Sequence, residues 1–104
     1  MKKIENRETS MLDGETQKGV TVAEVIKLIA RGQVSGGYSL DDIRHRVAII
    51  ESSEKAAKSI ELEEADYKYL TTLINSSAFK LPFFHSEILT VVDLINKAEE
   101  SKRL

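Results

Sequence analysis

Two histidines, a run of acids, a short basic cluster and a handful of serines are the residues here that could do chemistry. His45 and His85 lie forty positions apart. A helical zinc pair needs two imidazoles four residues apart, and the chain has no Cys to complete a set. Glu61, Glu63, Glu64 and Asp66 could offer carboxylate oxygens to a divalent cation. Their spacing is not that of a calcium loop, and acids at a helix start answer the helix dipole. Ser35, Ser52 and Ser53 are not framed by the glycines of a nucleophile elbow. Gly32 to Gly37 lacks the Lys and hydroxyl that close a phosphate loop, and reads as a flexible connection. No catalytic residue, metal or cofactor is expected.

Arg44-His45-Arg46 is the one compact basic cluster. On a helix Arg44 and Arg46 point about 200° apart, so they do not build one phosphate-binding face. The formal net charge of −2 is also unlike the strongly basic footprint of nucleic-acid binders. A small regulator that binds nucleic acid is the alternative reading, and its phosphate contacts would show as a steep salt dependence.

The elements that must position these residues are mainly helices. Thr21-Val22-Ala23-Glu24 is a capping-box sequence, and Val22, Val25, Ile26 and Ile29 form an apolar stripe behind it. Ser39 with Asp42 opens a second helix, whose Leu40, Ile43, Val47 and Ile50 share one face. A third helix carries Leu62, Tyr69, Leu70, Leu73 and Ile74 as its buried stripe. In the fourth, Phe84, Ile88, Val91, Ile95 and Ala98 repeat at heptad-like spacing, with Pro82 marking its start. Ahead of all four, Asp13-Gly14 is a tight-turn pair between two polar arms containing Thr9, Met11, Thr16 and Val20, which predicts a hairpin.

The expected fold is therefore mainly α, a small four-helix domain with an N-terminal β-hairpin. The helices are predicted over 22–31, 39–57, 63–75 and 83–100, with residues 59–61 as a short break that could be extended. The 104 residues suit one domain, a hairpin arm over 1–20 and a helical body over 21–104. Aromatics make up 6%, so the core must be aliphatic. No apolar run is long enough for a membrane span and no apolar segment follows Lys2-Lys3, so a cytoplasmic location is expected.

The order Leu12-Asp13-Gly14, then Leu40-Asp41-Asp42-Ile43-Arg44, then Ile60-Glu61-Leu62-Glu63-Glu64-Ala65-Asp66-Tyr67 resembles small accessory proteins of tailed phages and prophages. That resemblance implies a non-enzymatic role in virion assembly or in modulating a host protein.

The expected function is a protein–protein interaction module. Phe79, Phe83 and Phe84 around Leu81 and Pro82 are the densest apolar stretch, either a lid on the core or an exposed anchor for a partner. Ile88, Leu89, Val91, Val92, Leu94 and Ile95 cover most of the fourth helix, which predicts a homo-oligomer through Leu89, Val92 and the Phe79–Phe84 segment. Asp13 and Gly14 mark the hairpin as a further candidate contact with another protein.

Overall fold

A nine-residue helix, α1 (Val22–Ala30), lies at the centre of the molecule because almost every turn of it is apolar. Val22, Ala23, Val25, Ile26, Ile29 and Ala30 are all buried, none more than 5% exposed. Thr21 starts the helix as its sequence foretells, its hydroxyl accepting from the Glu24 N–H at 3.2 Å. The computed structural model describes residues 1–12, 19–32, 36–76, 79–81 and 85–100; at Met11, Leu12, Glu99 and Glu100 it describes the backbone.

Against α1 packs α2 (Leu40–Glu54); α3 (Glu64–Ile74) packs on α2, and α4 (Glu87–Asn96) on α3. The Ser39–Asp42 capping box of α2 is complete in both directions. The lead-in to it turns at Gly36 and Gly37, whose φ values of 89° and 84° suit a residue without a Cβ. All four helices are shorter than predicted: α1 ends at Ala30, α2 at Glu54 and α3 at Ile74, and α4 runs from Glu87 to Asn96 rather than from residue 83 to 100. For the end of α4 the cause is a strand. Glu99–Glu100 form β5, which pairs with the N-terminal strand and draws the chain out of helical geometry.

That strand, β1 (Lys2–Glu5), is the middle of a three-stranded antiparallel sheet whose other edge is β4 (Ser59–Leu62). The register pairs Ile4 with Ile60 and Lys2 with Leu62. Side chains alternate across a strand, so Ile4, Ile60 and Leu62 point inward, each fully buried, while Lys3, Glu5 and Glu61 are exposed. The break predicted at residues 59–61 is thus a strand, and residues 2–5 belong to the body rather than to an arm.

A second antiparallel pair joins β2 (Glu8–Leu12) to β3 (Gly19–Thr21). It has the strand directions of the predicted hairpin; Asp13 and Gly14 lie outside the described residues. A Cβ on Gly19 would come within 2.9 Å of the Thr9 carbonyl oxygen, so this close strand approach requires glycine. Asn6 ties the two sheets to α1. Its side-chain oxygen accepts from the Ala23 N–H at 3.0 Å, and its amide donates to the Ala57 carbonyl at 2.8 Å.

The core is completed by Ile49 of α2, Leu70 and Ile74 of α3, and Val91 and Ile95 of α4. Tyr69 and Leu73, read in sequence as buried, are half-buried. The outward face of α2 departs from its pattern. Leu40, Ile43 and Val47 are 71, 43 and 46% exposed. The inward face carries Arg46, Ile49 and Ser53. An apolar period reports that residues share a face but not which way that face turns.

Candidate functional site

Arg46 is a charged residue held in the interior, with 6% of its surface exposed. Burial of a guanidinium is tolerated when its donors are satisfied. Nη1 donates to the Ala30 carbonyl at 3.1 Å and to the Gly32 carbonyl at 3.2 Å. These are acceptors left open where α1 ends, so Arg46 caps that helix from across the interface and answers its negative pole. Nε donates to the Tyr69 hydroxyl at 3.0 Å. The guanidinium also lies over the rings of Tyr38, 4.9 Å from the centroid, and Tyr69, 5.8 Å. The Tyr38 hydroxyl donates to the Gly32 carbonyl as well.

Tyr69 passes the arrangement on. It accepts from Arg46 and donates to Asp42 Oδ1 at 3.1 Å. Burial raises the Tyr69 pKa, which keeps the phenol neutral and able to donate. The backbone and side-chain hydrogen bonds of Ser39, then the Tyr69 hydroxyl, lower the Asp42 pKa. One carboxylate therefore closes the N-terminal cap of α2 and anchors the α2–α3 contact.

His45 stacks on the opposite side of this contact, its ring 4.8 Å from that of Tyr69 and tilted 16°. Nδ1 meets Asp66 Oδ1 at 2.9 Å, and Nε2 faces Asp41 Oδ2 at 3.5 Å. The hydrogen bond to Asp66, reinforced by the charge of Asp41, raises the His45 pKa. Both ring nitrogens face carboxylates, so the pair stabilises an imidazolium. A general base needs the reverse, a nitrogen lone pair directed at a substrate.

Beside Arg46, an open groove of about 210 Å³ runs between the end of α1 and the outward face of α2, lined by Ala30, Arg31, Tyr38, Ile43, Arg46 and Val47. A wider cleft of about 430 Å³ lies over α3, bounded by Lys2, Glu64, Tyr67 and Lys68. Tyr67 in its wall donates to the Ile95 carbonyl at 2.7 Å, and burial raises its pKa.

The basic cluster is dispersed: Arg44 is exposed, His45 turns to α3 and Arg46 turns inward. Of the acidic run, Asp66 alone meets His45, while Glu61, Glu63 and Glu64 are exposed. Among the described residues no group of three or more His, Asp or Glu side chains is placed to hold a metal ion. No described helix is long and apolar enough to cross a membrane. His85 caps α4, its Nδ1 accepting from the Glu87 N–H at 3.0 Å. Ser53 bonds back to the Ile49 carbonyl within α2 at 2.8 Å, Ser52 is half-buried, and Ser35 lies outside the described residues.

The interface candidates separate. Phe79 is half-buried and packs on the core, as does Val92. Leu89 is 72% exposed. Phe83 and Phe84, like Asp13 and Gly14, lie outside the described residues. What sequence reasoning missed is the set Tyr38, Arg46 and Tyr69 and the exposure of the α2 stripe. Their partners are up to 31 residues apart in the chain, from Tyr38 to Tyr69, and follow no local period. Comparison with known protein families, with curated proteins and with solved structures gives no match.

Proposed function

We propose that the protein is a non-enzymatic docking module that engages another macromolecule through the outward face of α2. The observation that carries this reading is the exposure of Leu40, Ile43 and Val47, at 71, 43 and 46%, in a helix whose inward face holds a buried arginine. Residues at this spacing make one ridge. A contiguous apolar ridge left in water disfavours the isolated chain, and such surfaces mark contact sites. Helix faces of this kind dock in grooves or against other helices. The polar network behind the ridge supports the same reading. It consumes Arg46, Asp42, Tyr69 and His45 in holding α2 rigidly, which leaves them unsuited to turnover. The resemblance to accessory proteins of tailed phages adds assembly, or modulation of a host protein, as the setting.

The test compares the wild-type protein with Ile43→Asp and Val47→Asp, after circular dichroism has shown equal helicity. Partners are recovered by cross-linking in an extract of the source cells and from the purified protein alone. Loss of recovery in both face variants, with Leu89→Asp unaffected, is the expected result. If both face variants retain every partner, α2 is not the docking element.

A further inference from the structure

We infer that the occupant of the α2 face is a second copy of this chain, paired antiparallel about a two-fold axis near Val47 and Ala48. This rests on the docking reading and names its partner. The observation is a charge order along one flank of the apolar ridge. At about 100° per residue, Asp41, Arg44, Glu51 and Lys55 fall within roughly 80° of arc on the same side of Leu40, Ile43 and Val47. All four are exposed, and Lys55 continues α2 as its C-terminal cap with helical backbone angles. The signs alternate, negative, positive, negative, positive.

That order is complementary to its own reverse. A two-fold axis perpendicular to both helices brings the same flank of each copy together, as an isologous contact must. Arg44 then meets Glu51 of the second copy and Asp41 meets Lys55, each pair occurring twice. A parallel two-fold, whose axis runs along the helices, would turn this flank toward the opposite flank of the second copy and leave these four charges unpaired with one another. The antiparallel arrangement also opposes the two helix dipoles.

Val47 and Ile43 agree with the same axis, while Leu40 falls opposite Glu54 of the second copy, a carboxylate held at 3.6 Å by Arg31. Val47 comes against Val47 of the second copy at the centre, and Ile43 lies within about one turn of Ile50. On the flank away from the charges, the 210 Å³ groove beside Tyr38 opens next to Ile43 and Val47. The ridge is short beside the roughly 800 Å² that each partner buries in a standard interface. Association of modest, micromolar affinity is expected.

The chain contains no Cys, so one introduced thiol reports one contact. Val47→Cys should give a disulfide-linked dimer under mild oxidation, and Leu89→Cys should not. In sedimentation velocity the wild-type protein should show concentration-dependent dimerisation. Arg44→Glu and Glu51→Arg should each weaken it about tenfold, because each sets two like pairs together, and the double exchange should restore it. Equal circular dichroism of the variants separates weakened pairing from unfolding. A wild-type protein that stays monomeric at high micromolar concentration overturns the inference. So do single exchanges without effect, a double exchange that restores nothing, or cross-linking at Leu89→Cys. A monomer whose heterologous partners are still lost in Ile43→Asp would overturn self-pairing and leave the docking reading standing.

Discussion

Arg46 on α2 donates from Nε to the Tyr69 hydroxyl on α3 at 3.0 Å, while its Nη1 holds the carbonyls at the end of α1. One side chain thus fixes the mutual position of three helices. Arg46→Met should lower unfolding free energy by about 2–4 kcal/mol, since the buried Ala30 carbonyl and the Tyr69 hydroxyl lose their donor, while Gly32 keeps that of Tyr38, and each unsatisfied group costs about 1–3 kcal/mol. Arg46→Lys should recover a minor part, because an ammonium cannot span the same fork of acceptors. Urea titration with an unchanged slope would check both.

The His45–Asp66 pair predicts a stability that depends on pH with a definite sign. The folded-state pKa of His45 is raised above its usual value near 6.5. Its contribution is therefore fully present below about 6.5 and is lost as pH rises through the raised folded value. Melting temperature should decline across that interval. Asp66→Asn should flatten the decline, and an unchanged slope in that variant would assign the effect to another group.

Asn6 bridges Ala57 and Ala23 with both ends of its amide. Asn6→Ala should cost about 1–2 kcal/mol, the range for loss of a cap with its neighbouring hydrogen bond. Asn6→Asp keeps an acceptor for the Ala23 N–H at the start of α1 and should restore more than half of the loss. Thermal unfolding followed at the helical band reports both.

Ile4 and Leu89 are both aliphatic and differ in surroundings. Ile4 is fully buried against the core, and Leu89 is 72% exposed. Ile4→Ala should destabilise by about 2–4 kcal/mol. Leu89→Asp should stay within about 0.5 kcal/mol of the wild type. A large loss from Leu89→Asp would show that α4 is covered in solution.

Local signals in the sequence were reliable where the physics is local. Thr21 and Ser39 cap the helices they were read to cap, because a cap needs only the next three residues. The existence of four helices, and an antiparallel strand pair ahead of them, followed from period and turn chemistry. The β1–β4–β5 sheet was not legible, since Lys2 finds its partners at Leu62 and Glu100 and nothing near it in sequence says so. The end of α4 was misplaced for the same reason: the apolar period runs on to Ala98, but the open edge of β1 takes the residues after it. The site was hidden differently. Leu40, Ile43 and Val47 announce a face, and only the placement of Arg46 between α1 and α3 shows that this face looks outward.

The central position of β1 has a consequence for how the chain folds as it is synthesised. Residues 2–5 leave the ribosome early, yet their first ladder partner spans Ser59–Leu62 and their second Glu99–Glu100. Contacts so distant in sequence close slowly, because loop entropy is lost before they form. During that wait Ile4 has no strand to lie against. The helices α1 and α2, which follow one another and pack together, can assemble first and offer it an apolar surface. A nascent chain should therefore pass through a helical state with an unpaired leading strand. Pausing of translation before residue 59 should leave that strand open to proteolysis, and emergence of residues 59–62 and 99–100 should protect it.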